Sequence, residues 1–364
     1  MPIRFHWRLM PGGERSGNIR DRGRTAREMA FPDLEAQTEF CRAAEHAGAD
    51  SLLVNMNYGM PDPVLLAAAL AHGTERIRFM IANRPGLMSP TLFVQQVNTL
   101  AALSGGRVHL NMVVGHSPEE QRYYGDMLDH DARYERMDDY LWICHALWDG
   151  GGADFHGRYY QVEKARLNTR FVAGDRDRPE IFVGGSSAQA RAAAMRHGTC
   201  WVRFAGAPDA VRREAEPALD AGVELGLRLS IIARPTRGEA LDAAYGLIDR
   251  SESGRAGEER DFVRTSDAVS MRAMFAMADT EWLTPTLWTG AIRKHGATAV
   301  ALVGSHREVA DGLMEFAACG ASNFILSGWP KLEEMVRFGE HVLPLIRAME
   351  GSASPVPAAD GEAA

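Results

Sequence analysis

Arg178-Pro-Glu-Ile-Phe-Val-Gly-Gly-Ser-Ser-Ala-Gln-Ala-Arg-Ala-Ala-Ala-Met-Arg-His-Gly198 holds a complete strand–turn–helix transition. Ile181–Val183 reads as a short buried strand, Gly184-Gly185-Ser186-Ser187 as a turn, and the alanine-rich run after it as a helix. A strand feeding a helix through small residues leaves backbone N–H groups pointing into the turn. The helix dipole adds positive potential there, and serine hydroxyls add donors, which together suit a phosphate. A plain N-cap with a tight glycine loop uses the same residues. The segment alone leaves both readings open, and the rest of the chain decides.

The same unit repeats on both sides. Strands are expected at Ile3–Leu9, Ser51–Val54, Arg78–Ala82, Val108–Val114, Ile181–Val183, Cys200–Phe204, Leu227–Ala233 and Asn323–Leu326. Helices are expected to begin near Asp33, Pro63, Pro90, Ala132, Ser187, Pro208, Arg307 and Leu332. Eight strands alternating with helices favour a closed (β/α)8 TIM barrel, an α/β fold, over an open doubly wound sheet. The chain reads as a single domain over 1–350 with a disordered Ala/Pro/Gly tail over 351–364. Insertions fall at Pro11–Pro32, at Asp149–Asp177 with a hairpin-like Asp154–Val162, and at Pro235–Thr298 after strand seven. All follow the C-terminal ends of strands, where a barrel keeps its active site. The charged run Arg250–Asp261 makes 235–298 a candidate lid.

Composition narrows the function. Of 364 residues, 46% are hydrophobic and 24% charged, as in globular enzymes. A net charge of −8 argues against nucleic acid, which needs a basic face. No apolar run is long enough to span a membrane, and the N-terminus lacks a signal-peptide pattern. Cys41, Cys144, Cys200 and Cys319 have no CxxC spacing and read as thiols in a reducing cytoplasm. The twelve histidines form no HExxH, so no metal site is expected.

Several segments together carry a likeness. They are Asp129-His130 with Arg133-Tyr134-Glu135, Phe155-His-Gly-Arg-Tyr159, Phe182-Val-Gly-Gly-Ser-Ser187, Leu287-Trp288-Thr-Gly290, Ala301-Leu-Val-Gly304 and Leu326-Ser-Gly-Trp-Pro-Lys-Leu-Glu-Glu334. In order and spacing, from about Phe5 to about Pro344, the chain resembles the bacterial luciferase-like flavin monooxygenases, and within them the alkanesulfonate monooxygenase branch.

The resemblance implies a barrel that takes FMNH2 from a separate NAD(P)H-dependent flavin reductase. With O2 it would oxygenate a small organic substrate through a flavin peroxide. It also implies a homo-oligomer, a dimer or tetramer. By position it implies phosphate binding at Gly185, Ser186 and Ser187 with Tyr134 and His130 nearby, and a polar group, His116, beside the flavin. Ala82–Asn83 ends strand three, where the resemblance implies a non-proline cis peptide against the ring.

The remaining candidates form the substrate side: Arg228 and Ser230 on one face of strand seven, Trp329 and Lys331 after the last strand, and Trp7, Asn57, Tyr58, Met60, Arg293 and His295 around the pocket. Here the chain departs from the sulfonate pattern. Met60 stands in place of a cysteine, Ser230 in place of a histidine, and His295, with Arg293 and Lys294, near an arginine. Trp329 and Lys331 replace a tyrosine and a histidine, while Arg228 is kept. A sulfonate needs a cationic fork, so these changes put that substrate in question. An organosulfur compound, an amine or a ketone stay open. Alternatives are an F420-dependent hydride-transfer oxidoreductase on the same fold and a non-catalytic flavin-binding protein.

Overall fold

The computed structural model describes residues 2–10, 31–174, 176–249 and 266–352. Numbered along the chain, the strands are β1 (Arg4–Arg8), β2 (Ser51–Val54), β3 (Arg78–Asn83), β4 (Val108–Met112), β5 (Ala153–His156), β6 (Gln161–Ala165), β7 (Glu180–Gly184), β8 (Cys200–Phe204), β9 (Glu224–Arg234), β10 (Leu287–Trp288), β11 (Ala301–Ser305) and β12 (Ala321–Gly328). The strands β1–β2–β3–β4–β7–β8–β9–β12 pair in parallel in that order, and β12 returns to β1. The ring is a closed (β/α)8 barrel, and its strands are those the sequence pattern picks out.

The helices are α1 (Leu34–His46), α2 (Pro63–His72), α3 (Pro90–Ser104), α4 (Pro118–Tyr123), α5 (His130–Trp148), α6 (Ala188–His197), α7 (Pro208–Asp220), α8 (Arg237–Asp249), α9 (Val269–Met277), α10 (Ile292–His295), α11 (His306–Ala318), α12 (Lys331–Arg337) and α13 (Leu343–Ser352). Their starts are written locally. Asp33, Asp62, Ser89, Ser117, Asp129, Ser187 and Ser305 each accept a backbone N–H at an N-cap. Pro63, Pro90, Pro118 and Pro208 occupy first turns, where a missing N–H costs nothing.

Among the elements beyond the repeating unit, β5, β6, β10 and α8–α10 sit in the insertions, whereas α4 and β11 lie outside them. β5 and β6 form the antiparallel hairpin expected in Asp149–Asp177. β9 is longer than its neighbours, pairing with β8 through Glu224–Arg228 and with β11 through Ser230–Arg234. Gly351 and Ser352 close α13 rather than opening the tail. Residues 353–364, residues 11–30 and the lid core at 250–265 lie outside the described residues.

The barrel interior is layered. At its N-terminal end Arg4 pairs with Glu180 and Glu224, while His6 bonds Ser51 Oγ at 2.7 Å and Asn323 Oδ1 at 3.1 Å. Charges there are paired, as burial requires. Above them Leu53, Met80, Ala82, Phe182, Cys200, Val202 and Ile325 form an apolar plug. The space above the plug, at the C-terminal ends of the strands, is open.

Candidate active site

A cavity of about 340 Å³ occupies that end of the barrel. Every barrel strand or the loop after it contributes, and Ala268–Met271 of the long insertion forms part of the wall.

On the β7 side Gly184–Ser187 runs from the strand into α6. Ser187 Oγ accepts the Ala190 N–H at 3.1 Å, so this serine caps the helix. The Tyr134 hydroxyl donates to the Gly184 carbonyl at 3.3 Å, and α5 thereby brings that phenol to the turn. His130, the first residue of α5, packs edge-on against Tyr134 with ring centroids 5.1 Å apart. A Cβ on Gly185 would lie 2.5 Å from the Tyr134 oxygen, so glycine is required for this approach. Burial pushes the Tyr134 phenol up to about 12, keeping it a neutral donor.

On the β3–β4 side Ala82 lines the cavity, whereas Asn83, on the opposite face, donates outward to the Tyr140 hydroxyl at 3.5 Å. The Ala82–Asn83 peptide is trans, unlike the expected cis bond, because β3 stays extended to pair Asn83 with Met112. Asn111, missed in the sequence, is 8% exposed and lines the cavity, and its Oδ1 has no hydrogen-bond partner among the described residues. Alternation from His109 along β4 was the available signal. His116 lies in the wall, its pKa lowered by burial against the opposing pull of Glu120, so its imidazole is neutral near pH 7. Its carbonyl accepts from Ser266 Oγ at 2.7 Å, which fixes the returning end of the insertion. Arg133 anchors the same segment through Asp267 at 2.6 Å.

Arg84, also missed, lines the wall after β3 and pairs with the buried Glu120 at 2.9 Å. On the far side Arg228 of β9 faces the cavity; Arg8 of β1 and Arg203 of β8 line it as well. Arg228 donates to the carbonyls of Leu229 at 2.8 Å and Ile325 at 3.0 Å, and to Ser327 Oγ at 3.1 Å. Burial first, then the nearby Arg8, push its pKa down to about 9.

Other expected residues fall elsewhere. Asn57 lines the cavity, but Tyr58 is 65% exposed and rests against Tyr123, and Met60 lies outside the lining. Trp7 alternates with the inward His6 and packs on Phe338. Ser230 is buried, donating to the Thr298 carbonyl at 2.8 Å and meeting Ser327 Oγ at 2.9 Å. The Trp329 ring lies tilted against His295 with centroids 5.8 Å apart, outside the cavity lining. Lys331 opens α12, whose Glu334 ties it to β9 through the Ala233 N–H and Arg234, each at 2.7 Å. Arg293 pairs with Asp279 at the surface.

These residues fit a flavin mononucleotide. The backbone N–H groups and serine hydroxyls of the turn offer donors to a phosphate at a helix N-terminus beside Tyr134, and the unmatched Asn111 oxygen offers an acceptor to a ring N–H. Among the described residues no group of His, Cys, Asp or Glu is arranged to hold a metal.

The family model for luciferase-like monooxygenases matches residues 13–323. The chain belongs to the luciferase-like monooxygenase family. Membership makes it an oxidoreductase of the monooxygenase class. Its fold is similar to a riboflavin lyase solved with modified FMN and riboflavin, at TM-score 0.78 and 20% identity over 97% of this chain and 93% of that one. The EDTA monooxygenase of Chelativorans sp. BNC1 aligns at TM-score 0.75 and 19% identity, covering 96% and 94% of the chains. The F420-dependent tetrahydromethanopterin reductase of Methanopyrus kandleri aligns at 0.66 and 15%, covering 95% and 100%. No helix among the described residues is long and apolar enough to cross a membrane.

Proposed function

We propose that this protein is a two-component, FMNH2-dependent monooxygenase acting on a small organic substrate. The observation that carries the reading is the convergence of Tyr134, Gly185 and the Ser187-capped α6 at the floor of a cavity whose other walls carry Asn111, His116 and Arg228. Gly185, Ser186 and Ser187 would hold the phosphate, with His130 at the rim, and Ala82 and Asn111 would flank the ring. When bound, FMNH2 supplies the electron pair by which O2 gives one atom to the substrate and the other to water.

The chain's own share is positional. The apolar plug and the Ala268–Met271 wall exclude water from one side each. His116, neutral near pH 7, would take or return a proton through its imidazole. Arg228 holds fixed positive charge where negative charge develops on oxygen.

A separate NAD(P)H-dependent reductase would supply the reduced flavin, and we place the protein in the cytoplasm as a homo-oligomer. The buried, unpaired Cys41, Cys144, Cys200 and Cys319 support a reducing compartment. The sulfonate assignment gains no support here, since Met60, Ser230, Arg293, Trp329 and Lys331 lie outside the cavity lining. Titration with FMN and F420 separates the cofactors, and incorporation of one atom of ¹⁸O2 into product, with a reductase and NADH, tests oxygenation. Tight F420 binding without FMN binding overturns the reading.

A further inference from the structure

Several of the polar groups at the β7 turn are already engaged. The Gly185 N–H donates to the Val202 carbonyl at 3.0 Å, the Tyr134 hydroxyl to the Gly184 carbonyl at 3.3 Å, and Ser187 Oγ accepts the Ala190 N–H. Gly185 therefore contributes room rather than a donor, and what Ser186 and Ser187 still offer is neutral. A phosphate monoester carries about −1.5 to −2 charge near pH 7. A helix N-terminus answers roughly half a unit of it.

A cation stands beside the turn. Arg203 lines the cavity from β8, the strand that pairs with β7 through Gly184 and Val202. Its guanidinium lies 5.8 Å from the centre of the Trp201 ring, and Trp201 Nε1 donates to the Gly185 carbonyl at 2.7 Å. One indole thus spans the distance from charge to turn. The Arg203 side chain is 11% exposed. Its Nη1 pairs with Glu214 of α7 at 2.5 Å and its Nε donates to the Phe204 carbonyl at 3.3 Å, which leaves Nη2 with no acceptor among the described residues.

The local charge does not balance. Arg191 of α6 donates to the Glu214 carbonyl at 3.3 Å and makes no ion pair among the described residues. Burial holds the Arg203 pKa below its ordinary value even against the pull of Glu214, and Arg191 adds to the fall. Two guanidinium groups share one carboxylate, next to a turn shaped for an anion.

We propose that Arg203, backed by Arg191, selects the flavin by the charge of its phosphate. The pair favours a dianionic monoester, FMN, over riboflavin, which has no phosphate, and over FAD and F420, in which each phosphorus carries a single charge. The inference rests on the flavin reading above and adds its specificity determinant. The guanidinium fork matches paired phosphate oxygens. Glu214, its side chain 49% exposed, can turn to solvent and yield the fork to a bound phosphate.

Calorimetric titration of the purified protein with FMN, riboflavin and FAD tests this. FMN should bind more than about tenfold tighter than either of the others. Arg203→Met should cut that preference by about tenfold or more, with riboflavin affinity within about twofold of wild type. Arg203→Lys should restore part of it, since the charge is kept and the fork lost. Glu214→Gln should hold or raise FMN affinity, because a competing anion is removed, whereas a merely structural pair would weaken FMN and riboflavin alike in both variants. Riboflavin binding as tightly as FMN, an unchanged preference in Arg203→Met, or equal weakening of the two flavins overturns the proposal. Binding of no flavin at all refutes the flavin reading, and this inference with it.

Discussion

Tyr134 and Gly185 share one small volume: the phenol oxygen lies 2.5 Å from where a Gly185 Cβ would be. The glycine sits at φ +142°, a conformation L side chains rarely adopt, and Ala190 Cβ would be 2.8 Å from the same added atom. The contact joins α5 to the turn before α6, two elements that the barrel order brings side by side.

Gly185→Ala should therefore displace Tyr134 and open the turn. The expected loss is about 1–3 kcal/mol of stability from the forced shift. Flavin affinity should fall by more than about tenfold. Thermal melting and a fluorescence titration with FMN check the pair, and unchanged values in both would remove Tyr134 from the phosphate site.

Ser187→Asp separates capping from phosphate binding. Ser187 caps α6 through the Ala190 N–H at 3.1 Å, and aspartate caps helices as well as serine. Melting temperature should hold. A carboxylate facing the phosphate should nevertheless weaken FMN binding by more than about tenfold. Normal flavin affinity in this variant would show that the turn caps a helix and nothing more.

Arg228→Met should leave the melting temperature equal or raise it, because an apolar side chain replaces a buried cation that lacks a carboxylate partner among the described residues. Turnover should drop by ~10²–10³. Arg228→Lys should restore little, since the planar fork is lost with the charge kept. Full activity in Arg228→Met would make the residue structural.

Acid should unfold the protein from the closed end of the barrel. Burial lowers the His6 pKa from 6.5 to about 4, and His109 is lowered well below its ordinary value by burial and by His6 itself. A histidine with a lowered folded pKa binds fewer protons folded than unfolded. Its stabilisation is therefore complete above pH 6.5 and lost as pH falls toward 4. For His6 a fall from 6.5 to about 4 corresponds to about 3 kcal/mol. Denaturant melts at pH 7, 5.5 and 4.5 should show this decline, and His6→Asn should flatten it. A pH-independent midpoint across that range would mean that the two histidines bind protons equally in the folded and unfolded states, with no lowering by burial.

Local chemistry made the barrel legible. Short apolar strands, Asp or Ser caps and first-turn prolines such as Ser89-Pro90 act within a few residues, so Ser187 and the α6 start could be read directly. The long insertion was harder: β10 and α8–α10 lack strong periodicity, and just beyond it β11 exists because β9 overruns its neighbour and offers a free edge at Ser230–Arg234. Gly185, Ser187 and Tyr134 came from ordered motifs and His116 and Arg228 from their strand positions, and all five line the cavity. Trp7, Asn83 and Trp329 were misplaced relative to the cavity by strand parity or by packing under β11.

The chain's order of residues was enough to set the eight-strand repeat, the glycine–serine turn into α6 and the family, because each is encoded in neighbouring residues. Which charges meet was settled by closure of the ring. β12 pairing with both β1 and β9 sets Ile325 between His6 and Arg228 and brings Ser327 to the Arg228 guanidinium across 99 positions. Asn111 and Arg8 became cavity residues in the same way, since a strand's alternation defines two faces but not which one turns inward. That choice depends on the total packing of the barrel, which no local window of sequence contains.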